Sequence, residues 1–275
     1  MSKLNTQRLA ISYDKKIVVE DLNLEIPEGK ITALVGSNGS GKSTILKCLV
    51  RILSPKQGAV YLNGQSIHQQ STKDVAKQMA ILPQNPISPP GITVSELISF
   101  GRFPYQRGLG RLTSEDYKII KWAIDVTGLK EFKDHSVDKL SGGQRQRAWI
   151  AMALAQGTDL LLLDEPTTFL DIAHQLEILK LLQSLNHEVK RTIVMVVHDL
   201  NHATRFAHHM VVIKKGKVVD EGTPTDVMTK DMLREVFNID ADIIPDPRTN
   251  LPLCIPQNIS GQGETVPVNT LLKII

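Results

Sequence analysis

The stretch Gly36-Ser37-Asn38-Gly39-Ser40-Gly41-Lys42-Ser43 constrains this chain most, because a loop of that composition belongs between a strand and a helix. Residues 30–35 before it run apolar and read as a strand. Residues 42–53 after it carry apolar positions at helical spacing. Glycines let successive backbone N–H groups turn inward, and the following helix presents its positive end to whatever lies in the loop. The pattern predicts a phosphate cradle built from Gly36 to Ser43 and the adjoining Thr44. Lys42 is placed to reach the outer phosphates and the Ser43 hydroxyl to ligate Mg²⁺.

A second stretch narrows the fold. Leu160-Leu161-Leu162-Leu163-Asp164-Glu165 has the form of a buried strand whose end delivers two carboxylates into a cleft. One acid can hold Mg²⁺ while its neighbour polarises an attacking water. Downstream, helix and strand patterns alternate at 175–185, 192–197, 201–207 and 210–213, which implies a mainly parallel sheet buried on both faces. Upstream, 9–13, 17–24, 58–62 and 79–82 read as strands of a β-rich edge, with turns at 14–16 and 27–29.

Between these lies a breaker cluster, Asn85-Pro86-Ile87-Ser88-Pro89-Pro90-Gly91, followed by helical patterns at 94–100 and 114–127. Ser114, with Glu115 and Asp116 in the first turn, marks a helix start. Residues 85–155 therefore read as a helical subdomain inserted into an α/β core. Residues 1–230 form one nucleotide-binding domain. Residues 231–275 form an extension, with a short helix at 232–237 and then a Pro-rich tail. No internal repeat is visible.

Composition excludes several classes. The 275 residues are 41% hydrophobic but only 4% aromatic, so the core must be aliphatic. A formal charge of +3 does not demand a nucleic-acid partner. No run approaches the roughly 20 apolar residues that span a bilayer, and the start lacks the apolar stretch of a signal peptide. A soluble, cytosolic protein is expected, and any membrane path must come from another chain. Cys48 and Cys254 make no disulfide framework. The apolar neighbours of Cys48 predict a buried, reduced thiol.

Leu140-Ser141-Gly142-Gly143-Gln144 stands between the loop and the acidic strand, ahead of an apolar helical pattern at 149–154. Small residues at a helix start suit an anion. Gln144, Arg145 and Arg147 read as facing solvent or a partner. In this order the phosphate loop, the LSGGQ pentapeptide and the acidic strand resemble the ATP-binding subunit of an ABC transporter, across about residues 9–222. The resemblance implies a P-loop NTPase fold, an ABC cassette with ATP and Mg²⁺ as ligands. It also implies a homodimer in which Ser141, Gly142, Gly143 and Gln144 complete the ATP site of the second copy. Asp164 becomes the metal-side acid and Glu165 the general base.

Three residues gain meaning only from the resemblance. Gln84 occupies the place of a glutamine that touches Mg²⁺ and senses the membrane subunits. Tyr13 stands where a ring stacks on adenine, and Asp171 where an acid crosses the dimer interface. His198 follows a predicted strand and fits the family's switch histidine, which contacts the γ-phosphate. His198 and His202 echo a zinc-protease spacing, but the pattern's glutamate is missing. His202, His208 and His209 read as polar positions on and after a helix.

Finer features resemble one group within the family. Thr167 to Gln175 is similar to the version in ATPases importing iron(III)–siderophores, haem and vitamin B12, although Phe169 stands where that group often has Tyr or Trp. Gly101-Arg102-Phe103-Pro104-Tyr105, and the tail segments Pro245-Asp246-Pro247 and Leu253-Cys254-Ile255-Pro256, resemble the iron–siderophore members. Implied partners are integral membrane permease subunits and, indirectly, an extracytoplasmic siderophore-binding protein, with this chain on the cytoplasmic face of the membrane. Alternatives are the ATPase of a vitamin B12 or haem importer, or a non-transport ABC protein acting on ribosomes or DNA. The latter class usually shows paired cassettes or a coiled-coil insertion. The breaker-rich stretch after Gln84 further predicts a groove, lined partly between Asn85 and Arg107, that receives a permease helix.

Overall fold

The computed structural model describes residues 2–14, 16–106 and 111–260. The chain opens with β1 (Ser2–Tyr13), β2 (Lys16–Pro27) and β3 (Ile31–Val35), then α1 (Lys42–Leu49), β4 (Gln57–Leu62), β5 (Gln65–Ser66), α2 (Thr72–Ala76) and β6 (Met79–Leu82). A helical stretch follows: α3 (Val94–Ser99), a 3₁₀ segment Phe100–Tyr105, α4 (Ser114–Val126) and α5 (Gly142–Ala155). Then come β7 (Leu160–Asp164), α6 (Ile172–Val189), β8 (Thr192–Val196), α7 (Leu200–Phe206), β9 (His209–Lys214) and β10 (Lys217–Gly222). Short helices α8 (Pro224–Val227) and α9 (Lys230–Met232) lead through a π-helical turn to a hairpin, β11 (Ile239–Pro245) and β12 (Pro252–Ile259).

The central sheet has the order β10-β9-β3-β8-β7-β6. Its pairs from β9 to β6 are parallel, and only β10 runs antiparallel. A second sheet, β2-β1-β4-β5, is antiparallel throughout.

The unbroken apolar run of β7 has a simple cause. Leu161 and Leu163 enter one core with α3, α4, α5 and α6, while Leu160 and Leu162 enter a second core with α1 and the antiparallel sheet. Strand β8 divides in the same way, with Ile193 and Met195 on one side and Val194 and Val196 on the other. Side chains alternate across a strand, so a strand covered on both faces needs apolar residues at every position.

The helical block is anchored by a buried ion pair. Arg102 Nε donates to Asp116 Oδ1 at 2.7 Å, and Arg102 Nη1 donates to the Ala155 carbonyl, joining the start of α4 to the end of α5. Gly101 passes so close to the Met152 carbonyl that no side chain fits there.

Several boundaries differ from the sequence expectation, each for a local reason. α4 itself begins at Ser114 as expected, with Thr113 as its cap, the hydroxyl accepting from the Asp116 N–H. α1 stops at Leu49 because Arg51 turns left-handed. α6 starts earlier than expected because Asp171 caps it. The Pro-rich tail contains a hairpin, with Pro245, Pro252 and Pro256 in its strands. Two-stranded hairpins have a free edge on each strand, where a missing N–H costs nothing. Cys48 and Cys254 are buried free thiols, and burial raises that of Cys48 to about 11. Among the described residues no helix is long and apolar enough to cross a membrane.

Candidate functional site

Four adjacent parallel strands deliver the site. β3 ends at the phosphate loop, β8 leads to His198, β7 ends in Asp164 with Glu165 following, and β6 leads to Gln84. Ligands of open α/β sheets bind beyond such carboxyl ends. Here the cleft encloses about 520 Å³, lined by Tyr13 and Val18, by Asn38 to Thr44, and by Gln84, Glu165 and His198.

The loop's shape depends on two glycines. Gly36, at φ 149°, lies against the Ile213 carbonyl, where a Cβ could not be accommodated. Gly41, at φ 105°, caps α1 in a left-handed conformation. The β9–β10 turn backs the loop, with the Gly216 N–H donating to the Ser40 carbonyl at 2.7 Å. Lys42 is only 5% exposed and donates through Nζ to the carbonyls of Gly36 (2.8 Å) and Ser37 (3.0 Å). Burial lowers its pKa, and the charges of Glu165 and Asp164 oppose that shift.

Asp164, 1% exposed, accepts from the Ser43 hydroxyl through Oδ1 at 2.8 Å. Burial and the neighbouring Glu165 charge raise its pKa against the Ser43 bond and the charges of Lys47 and Lys42. Its Oδ2 is buried and faces no donor among the described residues. A buried carboxylate oxygen without a donor, beside a serine hydroxyl, suits a hard cation that takes oxygen ligands. The donor set fits Mg²⁺.

Glu165 sits at φ 55°, turned sharply out of β7. Its Oε2 accepts from Gln84 Nε2 (2.6 Å) and from the Thr168 hydroxyl (3.0 Å), and its Oε1 lies 2.6 Å from His198 Nε2. Burial pushes this carboxyl up, but the contacts from His198, Thr168 and Gln84 prevail and hold it below the usual glutamate range. Thr168 is the member that sequence reasoning missed. Its place three residues after Glu165 was the available signal. Tyr13, 44% exposed, stands at the cleft mouth.

The LSGGQ residues do not enter this cleft. Ser141 caps α5, its hydroxyl accepting from the Gln144 N–H while Gln144 Oε1 accepts from the Ser141 N–H. Gln144 thus closes a capping box rather than simply facing solvent, and Arg145 donates to the carbonyls of Asp138 and Leu140. Gly143 abuts the His174 ring so closely that a Cβ would force the ring to shift. Asp171 accepts through Oδ1 from the His174 N–H (2.9 Å), with His174 Nδ1 at 2.8 Å from the same oxygen. Those two contacts hold its carboxyl low. Gln146 Nε2 donates to the Pro166 carbonyl, tying α5 to the segment after Glu165.

A separate groove of about 270 Å³ runs between Gln84–Ile87, Gly142 and Trp149 of α5, and Thr168–Leu170, with Gln84 and Glu165 shared between groove and cleft. Phe169, 88% exposed, stands on its rim. Of the stretch expected to line this groove, Asn85, Pro86 and Ile87 do so, and Arg107 lies outside the described residues.

A family model described as ABC transporter matches residues 19–168. The chain is 61% identical over 269 residues to the iron(3+)-hydroxamate import ATP-binding protein FhuC of Bacillus subtilis (strain 168), covering 98% of this chain and 100% of that protein. Among solved structures, a transporter described as of metal-chelate type, in an inward-facing conformation, aligns with a TM-score of 0.81 at 28% identity, over 94% of this chain and 98% of the other. A bacterial ABC transporter cassette solved as a dimer aligns with a TM-score of 0.70 at 31% identity, over 80% and 98%.

Proposed function

This chain belongs to the ABC transporter family, and from that premise we propose that it is the ATP-hydrolysing subunit energising import of an iron(III)–siderophore through a separate membrane permease. The observation that carries the ATPase reading is the convergence of the loop, Ser43–Asp164, Glu165, Gln84 and His198 on one cleft at the ends of four neighbouring strands. The cargo reading rests on 61% identity, over nearly the whole of both chains, to an importer subunit for iron(3+)-hydroxamate.

In this reading the loop N–H groups and Lys42 hold the β- and γ-phosphates, and Tyr13 stacks on adenine. Ser43, Asp164 and Gln84 would hold Mg²⁺, which would supply charge neutralisation at the transferring phosphoryl group. Glu165, kept ionised by its three partners, accepts a proton from the water that attacks the γ-phosphorus. The bond to the β-phosphate oxygen breaks, giving ADP and phosphate. His198 steadies that water and the γ-phosphate. Ser141 to Gln144 and Asp171 face the ATP of a second copy, in keeping with the dimeric relative. The chain works at the cytoplasmic face of the membrane against permease subunits, and an extracytoplasmic binding protein delivers the cargo to them.

Gln84 tests the coupling to transport, since it bounds both the cleft and the groove beside α5. Gln84→Ala is expected to depress siderophore uptake by cells more than it depresses ATP hydrolysis by the purified subunit. Equal losses would reduce Gln84 to a metal ligand. Full uptake by the variant would remove the coupling role.

A further inference from the structure

His198 rides on a short link whose two ends are held in different ways. On one side is β8, fixed by its ladders to β3 and β7. On the other, directly after Asp199, lies α7, a helix of 7 residues, too short to persist on its own. Asp199 caps it from one end, accepting from the His202 N–H at 2.9 Å. Beyond the burial of Ala203 and Phe206 in the core, a side chain within it ties it to the C-terminal hairpin. Asn201 Nδ2 donates to the Cys254 carbonyl (3.1 Å), and Asn201 Oδ1 accepts from the Cys254 N–H (2.8 Å). The amide pairs with β12 as a neighbouring strand would.

The hairpin that receives this amide is itself well fixed. Asp246 closes its turn, accepting through Oδ1 from the N–H groups of Arg248 and Thr249, and its own N–H donates to the Leu251 carbonyl. Ala241 and Cys254 are buried in the same core as Ala203 and Phe206 of α7. α7 separates two cavities. His202 lines the smaller, of about 130 Å³, together with Glu165 and His198, and also the larger, of about 240 Å³, beneath the hairpin turn. The hairpin therefore buttresses α7 from the side away from the catalytic carboxylate.

We propose that Asn201 is a positioning residue for hydrolysis. By locking α7 to the C-terminal hairpin it sets how His198 meets Glu165, and this is what the extension contributes to the ATPase. The proposal rests on reading His198 and Glu165 as the hydrolytic pair. Asn201 lines the cavity under the hairpin and not the phosphate cleft, so it touches neither nucleotide nor attacking water and acts through the α7 link that carries His198. The contact it protects is the 2.6 Å approach of His198 to Glu165, and misplacement by about 1 Å at a reacting centre can cost on the order of 100-fold in rate.

The test compares steady-state ATP hydrolysis and equilibrium ATP binding by the purified full chain and four variants: Asn201→Ala, Asn201→Asp, His198→Ala and the His198→Ala/Asn201→Ala pair. Asn201→Ala is expected to lower kcat about tenfold with KM and ATP affinity unchanged. Asn201→Asp keeps the acceptor and loses the donor, so its kcat should fall between that of Asn201→Ala and wild type. In the His198→Ala background, Asn201→Ala should cost nothing further, because the group it positions is gone. Should Asn201→Ala not fold, Asn201→Asp carries the same comparison in both backgrounds. A wild-type kcat for the Asn201 variants, or a loss that adds in full to that of His198→Ala, would overturn the proposal while leaving the hydrolytic pair intact. Wild-type turnover by His198→Ala would instead remove the pair, and the positioning role with it.

Discussion

The phosphate cleft and the LSGGQ helix are both carefully built, yet they stand in opposite relations to the chain that carries them. Within the cleft every charged group already has a local counterpart: Lys42 on the loop carbonyls, Asp164 on Ser43, Glu165 among Gln84, Thr168 and His198. The start of α5 is equally ordered, with its capping box and the Gly143–His174 contact, but the groove beside it contains no residue of the phosphate loop. A binding site can be assembled within one subunit and still be unfit to fire until another subunit arrives. On the proposed reading, preorganised charge secures the nucleotide, and a second copy would decide when hydrolysis follows.

That contrast predicts different failures on the two sides. The largest effect belongs to Glu165→Gln, which should slow hydrolysis by about three orders of magnitude and leave ATP binding intact. ATP should then shift the purified variant to a dimer on gel filtration, and a persistent monomer would mean that the LSGGQ helix completes no partner's site. Lys42→Ala should weaken ATP affinity about 100-fold even in dilute protein, because the loss lies within one chain. Equilibrium binding at low protein concentration measures it.

On the other side, Gly143→Ala drives a methyl group into the His174 ring. It should lower turnover about tenfold with the ATP affinity of dilute protein unchanged. A matching loss of affinity would collapse the distinction between the two regions. Ser141→Ala sharpens the contrast from the smallest effect. It deletes a helix cap worth about 1 kcal/mol, so the melting temperature should drop slightly while ATP affinity stays put.

The phosphate loop and the acidic pair of the cleft were legible because their chemistry is local, whereas Gln84, Tyr13 and His198 gained meaning only from the family resemblance. The loop from Gly36 to Ser43 and the pair Asp164–Glu165 each announce themselves within a few residues, and strand ends in a parallel sheet leave little freedom in where they meet. What stayed hidden joins distant segments. Nothing near Gly143 shows that it must be small for His174, and nothing near Asn201 shows that its amide pairs with Cys254. Both are choices of tertiary packing made by residues whose local preferences are unremarkable. The tail illustrates the same limit. Its prolines pointed to no element, since the sequence does not reveal that two strands with open edges accommodate them. Thr168 lay between these extremes, close to Glu165 in sequence but oriented only by the turn that follows β7.

The division of the β7 leucines between two cores has a further consequence for how the protein comes apart. Neither layer can melt without stripping one face of the strand that bears Asp164, so separating the layers leaves half of that strand's apolar surface in water. Amide protons of Leu161 to Leu163 should therefore exchange only through global unfolding, while the outer strands β2 and β5 open in smaller excursions. The acids of the site would then share the lifetime of the whole native state, and denaturant should abolish nucleotide binding and the helical signal at one common midpoint.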